Sequence, residues 1–520
     1  MSALKKSLSV FGLLALMLAG TTGLAQRKAP AATKVDLAQL DAYFEKAQKD
    51  WDIPGMSIGI VKDGQLIFSK GYGVKELGKN ERPDGKTLYA IASNTKAFTA
   101  SVMATLVQEG KLNWRDKVRQ HLPYFSLYDP YVSQEANLVD LLTHRVGLGT
   151  FSGDIIWYKS RYRAEEVVKK LKGVPKAFDF RDGYGYSNVM YVTAGEVIRS
   201  VTGKSWGENI RERFLVPLGM ERTIYSLKNL EAKGNVATPH LRYNEQNKPI
   251  AWVDWEEIGA LGGLISCVDD MAKWMVFQMN HGVVGKDTLL TPASRNMLWQ
   301  IHNSFPVNLA NPDDFNTHFR GYGLGWNISD YRGKMRVGHT GGYDGMITAF
   351  TMLPEEKLGV IVLTNGMQSP IMPLTYQVFD AFLGVKGSDW SAEMLARRKK
   401  YDQQDDRVAS RIAARVTGTQ PSVPTSQYVG TYQTQIYGDL KVSLEGDKLR
   451  LIFEDAPDLN ATLEHWHYDV WKINWDKDQA WFDFGTVRFV TNNNLRVTGM
   501  EFDVPNDDIF FEELMVTKVE

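Results

Sequence analysis

Ser93-Asn94-Thr95-Lys96 places a hydroxyl and an amine three residues apart, on one face if the segment is helical. A serine hydroxyl is a weak nucleophile until a neighbour takes its proton, and a desolvated neutral lysine can do that. A helix N-terminus would add positive potential where an alkoxide, and then an oxyanion, develops. The spacing alone is cheap, because Ser2-Ala3-Leu4-Lys5 repeats it where catalysis is excluded. Two further motifs add weight. Tyr186-Ser187-Asn188 can project a phenol and an amide to the same side of an extended loop. His339-Thr340-Gly341-Gly342 precedes a strand-like run from Ile347, and a cleft-lining edge strand there could offer backbone N–H groups to an oxyanion.

The elements that must hold these residues are partly readable. Phe98, Val102 and Leu106 recur every four residues and Gly110 follows, which predicts an amphipathic helix over 97–108. A second helix is predicted over 189–201, closed by Gly203. Asp63-Gly64 between Ile58–Val61 and Leu66–Lys70 predicts a type I′ hairpin, and Pro354-Glu355-Glu356-Lys357 predicts another between 347–353 and 358–364. Helices between two sets of strands predict a layered α/β domain rather than a doubly wound parallel one. Residues 391–426 carry a charged helix and then a linker with Gly418, Pro421 and Pro424. Beyond them, 427–520 alternates in short segments punctuated by glycine, which predicts a small antiparallel β domain, barrel or sandwich.

In this order and at these separations, the three motifs resemble the serine, tyrosine and lysine-threonine-glycine boxes of the penicillin-recognising serine hydrolases, the class C β-lactamases and DD-peptidases. Leu141-Leu142-Thr143-His144, Gly262-Gly263-Leu264-Ile265-Ser266 and Gly321-Tyr322-Gly323-Leu324-Gly325-Trp326 are similar to supporting segments of the β-lactamase-related branch. The resemblance covers roughly Leu37 to Leu383, and 427–520 is similar to the β domain often appended to such hydrolases. It implies a β-lactamase-like α/β sandwich with an antiparallel sheet and a helical region. It also implies Ser93 as acylated nucleophile, Lys96 as its proton acceptor or orienting partner, and Tyr186 as second member of an acid–base pair. Asn188, His339, Thr340, Gly341 and Gly342 would bind substrate, with the N–H groups of Ser93 and Gly342 as oxyanion hole. No cofactor or metal is implied. The substrate would be a small ester, a peptide or a β-lactam.

His339 departs from the pattern, since β-lactamases usually carry lysine there. An imidazole with an ordinary pKa of about 6.5 is mostly neutral at pH 7, so a fixed cation for a substrate carboxylate is lost. Within the superfamily, a histidine at this box resembles DD-peptidases, D-amino-acid peptidases and esterases more than efficient β-lactamases, which implies esters or D-amino-acid peptides as substrates, with a β-lactamase or a slowly deacylating penicillin-binding sensor as alternatives. Gly55-Met56-Ser57-Ile58-Gly59 matches a nucleophile elbow, but that motif needs a strand before the serine and a helix after it, and here a β run follows. Ser57 is expected to be structural. His465-Trp466-His467 offers two imidazoles without an evident third ligand. His144 is expected to be a hydrogen-bonded structural histidine and Cys267 a small buried hydrophobe. There is no His-Glu-x-x-His, and Gly85-Lys86-Thr87 has Asn80 where a phosphate loop needs glycine.

The 520 residues are 43% hydrophobic and 23% charged, which excludes a disordered chain and is long enough for two domains. Sixty Lys and Arg against 61 Asp and Glu give a charge of −1, no basis for a nucleic-acid partner. The single cysteine excludes an internal disulfide. Lys5 and Lys6 precede an apolar run from Leu8 to Ala19, and Gly23-Leu24-Ala25 supplies a small-x-small cleavage signal. Residues 1–25 are expected to be a signal peptide, leaving a secreted or periplasmic protein without a stable membrane span. The expected organisation is then 26–390 hydrolase, 391–426 charged helix and linker, and 427–520 β domain. Oligomeric state is not written in these features.

Overall fold

The computed structural model describes residues 35–243 and 245–519; the expected signal peptide lies outside them. After helix α1 (Leu37–Asp50), strands β1 (Gly55–Lys62) and β2 (Gln65–Gly73) turn on Asp63 and Gly64, both at positive φ (51° and 79°). That is the backbone a type I′ turn requires. The later strands are β3 (Asn303–Phe305), β4 (Arg320–Tyr322), β5 (Asn327–Tyr331), β6 (Lys334–Tyr343), β7 (Met346–Leu353) and β8 (Leu358–Thr364). They join the first pair in one sheet of order β2-β1-β8-β7-β6-β5-β4-β3, antiparallel throughout. One face packs Ile58, Ile60 and Val362 against Phe44 of α1 and Phe379 of the helix Ile371–Leu383. The other face meets the helical region.

Two helices carry the motif residues. α2 (Thr95–Gln108) is preceded by a single 3₁₀ turn, Ala92–Asn94, so Ser93 sits just ahead of the helix rather than within it. The sequence predicts an amphipathic α2, yet every residue from Thr95 to Leu106 is buried. The second face consists of Ala97, Ala100, Ser101 and Ala104, small enough for neighbouring elements to close on it, while Phe98 stacks on Trp274 with centroids 3.8 Å apart. α3 (Asn188–Thr202) begins at the last residue of the tyrosine motif and ends on Gly203 at φ 70°.

β6 is not an outer strand. It pairs with β7 over Val337–Tyr343, but its pairing with β5 covers only Lys334–Gly338. From His339 onward that second edge is free of a strand, so an interior strand presents an open edge along half its length. The same half comes very close to the Ser93 turn: a Cβ built on Gly341 would lie 2.3 Å from the Ile91 carbonyl oxygen.

Helices Trp390–Gln404 and Arg407–Ala413 lead to eight strands that close into a barrel, first strand Gly430–Gln433 against last strand Val516–Lys518 through Tyr432 and Lys518. The barrel interior and the helical region form one continuous hydrophobic cluster. Polar contacts reinforce it along Ser152–Tyr162. The Gly153 N–H donates to Glu513 Oε2 (2.7 Å), Lys159 Nζ donates to Gln479 Oε1 (2.7 Å), and the Arg161 N–H donates to the Asp455 carbonyl (2.8 Å). The Gly341 contact yields a prediction. Because backbone faces backbone there, Gly341→Ala is expected to cost about 1–3 kcal/mol of stability by overpacking; a urea midpoint equal to wild type would show that the strand can stand off from the Ser93 turn.

Candidate active site

The three motifs converge at the junction of α2, the start of α3 and the open half of β6. Lys96 is fully buried, and its Nζ has three partners: Ser93 Oγ at 3.0 Å, Asn188 Oδ1 at 2.7 Å and the Leu261 carbonyl at 2.7 Å. Two of these are oxygens that can only accept. A neutral amine that keeps its two protons on them has its lone pair left for Ser93, the direction needed to take the serine proton. Burial lowers the Lys96 pKa to about 7, against the opposing pull of Asp154. Ala92, immediately before Ser93, is held at φ 46°. For a residue with a Cβ this is a sparsely populated conformation, stored next to the candidate nucleophile.

Asn188 bridges Lys96 to a buried acid: its Nδ2 donates to Asp154 Oδ2 at 2.6 Å, and the Trp157 indole donates to Asp154 Oδ1 at 2.8 Å. Burial raises the Asp154 carboxyl to about 8, with the Asn188 and Trp157 hydrogen bonds and the Lys96 charge working the other way. The amide of Asn188 is thus engaged at both ends, and Asn188 also lines the cleft. The loop before it is held by His144, whose Nδ1 accepts the Ser187 N–H at 2.9 Å, and by the Tyr186 carbonyl accepting from the Phe151 N–H at 2.7 Å. His144 is itself fully buried and neutral, its pKa driven well down by burial.

The Tyr186 ring centroid is 4.9 Å from Lys96 Nζ, and its hydroxyl is buried without a well-formed hydrogen bond. Burial holds it well above the ordinary phenol pKa, with the Ser93 hydroxyl opposing, so it is a proton-bearing group at neutral pH. His339 is buried, with Nδ1 beside the Thr340 carbonyl (2.6 Å) and Nε2 beside the Tyr322 hydroxyl (2.9 Å). A carbonyl accepts only, so Nδ1 carries the proton and Nε2 accepts from Tyr322. Burial, then the nearby Lys96, lowers the His339 pKa to about 3. The imidazole is neutral at any ordinary pH.

These residues open on a cleft of about 340 Å³. Ser93, Tyr186, Asn188, His339, Thr340 and Gly342 all line it. Gly341 instead packs against the Ser93 turn. Sequence reasoning missed several contributors. Asp154 and the Leu261 carbonyl have no local signature, although Leu261 adjoins the Gly262-Gly263 segment. Trp157 and Trp255 form one wall, and Trp481, Asp508 and Ile509 of the barrel form another. Among the described residues, no lysine or arginine side chain lines the cleft. Ser57 is buried in β1, its hydroxyl donating to the Asp84 carbonyl at 2.8 Å, and Cys267 is buried. His465 and His467 are separated by a register shift in their strand, so they do not share a flat face.

A sheet backed by helices, with a serine and lysine at the start of a buried central helix and a strand edge facing them, defines the β-lactamase-like fold. The family model described as Beta-lactamase matches residues 40–378, and the chain belongs to that family. A second model, described as a domain of unknown function (DUF3471), matches residues 414–518 and so covers the barrel. An unguisins hydrolase of Aspergillus campestris is 30% identical over 444 residues, covering 81% of this chain and 80% of that one. Protein flp of Staphylococcus aureus is 27% identical over 336 residues, covering 63% and 62%. Among solved structures, the octameric penicillin-binding protein homologue from Pyrococcus abyssi has a TM-score of 0.60 at 22% identity, covering 90% of this chain and 98% of that one. The D-stereospecific amidohydrolase from a Streptomyces species has a TM-score of 0.55 at 20% identity, covering 68% and 100%. At these identities the likeness to the solved structures is one of fold. With hydrolases among its relatives, the chain is a member of a hydrolase family.

The burial of Lys96 is testable without any substrate. An NMR titration of ¹³C-labelled lysines is expected to show one amine titrating near pH 7, against about 10.4 for an exposed lysine. That signal should vanish in Lys96→Met; a uniform set of lysines titrating near 10 would contradict the lone-pair assignment.

Proposed function

We propose that the protein is an exported serine hydrolase that passes through an acyl-enzyme on Ser93 and acts on esters or on peptides bearing a D-residue. The observation that carries this reading is the coordination of Lys96, two acceptors fixed and the third direction facing Ser93 Oγ. In acylation Ser93 Oγ bonds to the substrate carbonyl carbon as its proton moves to Lys96 Nζ. The N–H groups of Ser93 and Gly342, two residues that line the cleft, would receive the oxyanion. Collapse of the tetrahedral intermediate breaks the bond to the leaving alcohol or amine, which takes a proton from the Lys96/Tyr186 pair. Water then attacks the ester carbonyl and gives a proton to the pair, which passes it to Ser93 Oγ as the acyl bond breaks, releasing the acid and free Ser93.

The substrate class rests on what the cleft lacks. A β-lactam or a C-terminal carboxylate calls for a fixed cation, and His339 is neutral while, among the described residues, no lysine or arginine lines the walls. An unguisins hydrolase among the relatives, and a D-stereospecific amidohydrolase of the same fold, support amide or ester hydrolysis over β-lactam turnover. Export rests on the sequence of residues 1–25.

Two outcomes are expected. Ser93→Ala should lower p-nitrophenyl ester turnover by at least about 10³-fold, and intact mass after a rapid quench should place the acyl group on Ser93; retained turnover would remove the nucleophile. The base must be neutral to act, so kcat/KM for the ester should fall as pH drops through about 7, with no inflection from His339 between pH 5 and 9. A profile flat from pH 5 to 9 would exclude Lys96 as the base.

A further inference from the structure

The barrel reaches the cleft with one charged side chain. Asp508 lies in the segment after the barrel strand Val497–Asp503, half-buried, on the wall shared with Trp481 and Ile509. Its backbone N–H is tied to Asn506 Oδ1 at 2.9 Å, but among the described residues no protein donor reaches its carboxylate. Its neighbour Asp507 is satisfied differently, by Arg407 Nη1 at 2.6 Å on the outer surface. Asp508 and Asp154 line the same cleft, and the Asp508 charge adds a minor upward push on the Asp154 carboxyl.

The cleft is therefore electrostatically one-sided. His339 is neutral, and the Lys96 amine is committed to Asn188 and Leu261 behind Ser93. A half-buried carboxylate without donors is a cost to the folded protein that a ligand ammonium would relieve through a charge-assisted hydrogen bond. Water can solvate it in the empty cleft, yet a substrate that fills the cleft displaces that water. Burial, with Asp507 alongside, raises Asp508 to about 6, which leaves it mostly ionised at pH 7.

From this geometry we infer that Asp508 is a specificity residue which receives a cationic amino group on the substrate, so that the favoured substrates are amides or esters with a free amine near the scissile carbonyl. The inference rests on the hydrolase reading above and adds the substrate's charge to it. It also gives the barrel a function: its wall selects for charge, while the α/β domain supplies the reaction.

The test separates binding from turnover. Calorimetry on Ser93→Ala measures the affinities of D-phenylalanine p-nitroanilide and its N-acetyl counterpart at pH 7, where an α-amine with a pKa of about 7.7–8.0 is mostly protonated. The free amine is expected to bind at least about tenfold tighter, and adding Asp508→Asn should abolish the difference. Asp507→Asn, on the outer surface, should leave the difference intact. Equal affinities in Ser93→Ala, or a preference that survives Asp508→Asn, would overturn the assignment. Turnover of both compounds by the wild-type chain is measured in parallel. If neither is hydrolysed while the preference tracks Asp508, the inference stands and these amides fall outside the reaction; if both are hydrolysed at equal kcat/KM and bound equally, the hydrolase reading stands and the inference fails.

Discussion

The Lys96 amine is removed from water, and an ammonium so placed is unfavourable unless acceptors surround it or its proton leaves. The surrounding structure does some of each. Asn188 and the Leu261 carbonyl supply acceptors, and the nearest carboxyl, Asp154, stands one amide away rather than in direct contact. Had Asp154 met Lys96 directly, the pair would have locked the lysine as a cation, useless as a base. The interposed asparagine keeps enough distance for the amine to titrate near neutrality. The two groups share that titration, so their protons belong to the pair more than to either residue.

Much of the fold can be understood as the means of holding that arrangement. α2 is buried all round because small residues let the Ala260–Leu261 turn and α3 close on it, and that closure brings the Leu261 carbonyl to Lys96. His144 holds the loop from which Tyr186 projects and α3 begins. The barrel holds the segment carrying Asp154, through Glu513 on Gly153 and Gln479 on Lys159. The appended domain thus buttresses the second partner of the lysine as well as walling the cleft.

What was legible in the sequence follows from the range of the forces involved. Asp63-Gly64 and the Pro354–Lys357 segment specify hairpins within a few residues, and the helix closed by Gly203 is equally local. The serine, tyrosine and histidine motifs were visible because each packs its chemistry into three or four positions. Asp154, the Leu261 carbonyl, Trp481 and Asp508 were not, since each acquires its place only through packing between distant segments. The amphipathic reading of α2 failed for a related reason: Ala and Ser count as neither core nor surface until a neighbour's shape is known. The open edge of β6 depends on β5 beginning only at Asn327, opposite Gly338, a fact about a pairing rather than about either strand.

The wall formed by Trp481, Asp508 and Ile509 sets an order of events during synthesis. Ser93 and Lys96 emerge from the ribosome early, while Trp481, Asp508 and Ile509, which finish the cleft, lie in connections between the later strands of the barrel. A chain cut or stalled between the two carries Ser93 and Lys96 without the barrel's share of the cleft wall. Because the hydrophobic cluster runs unbroken from the helical region into the barrel, such a chain also exposes the apolar seam that should have been covered, and quality-control proteases recognise exposed apolar surface of this kind. Closure of the cleft and survival of the chain are in this way tied to the same C-terminal domain.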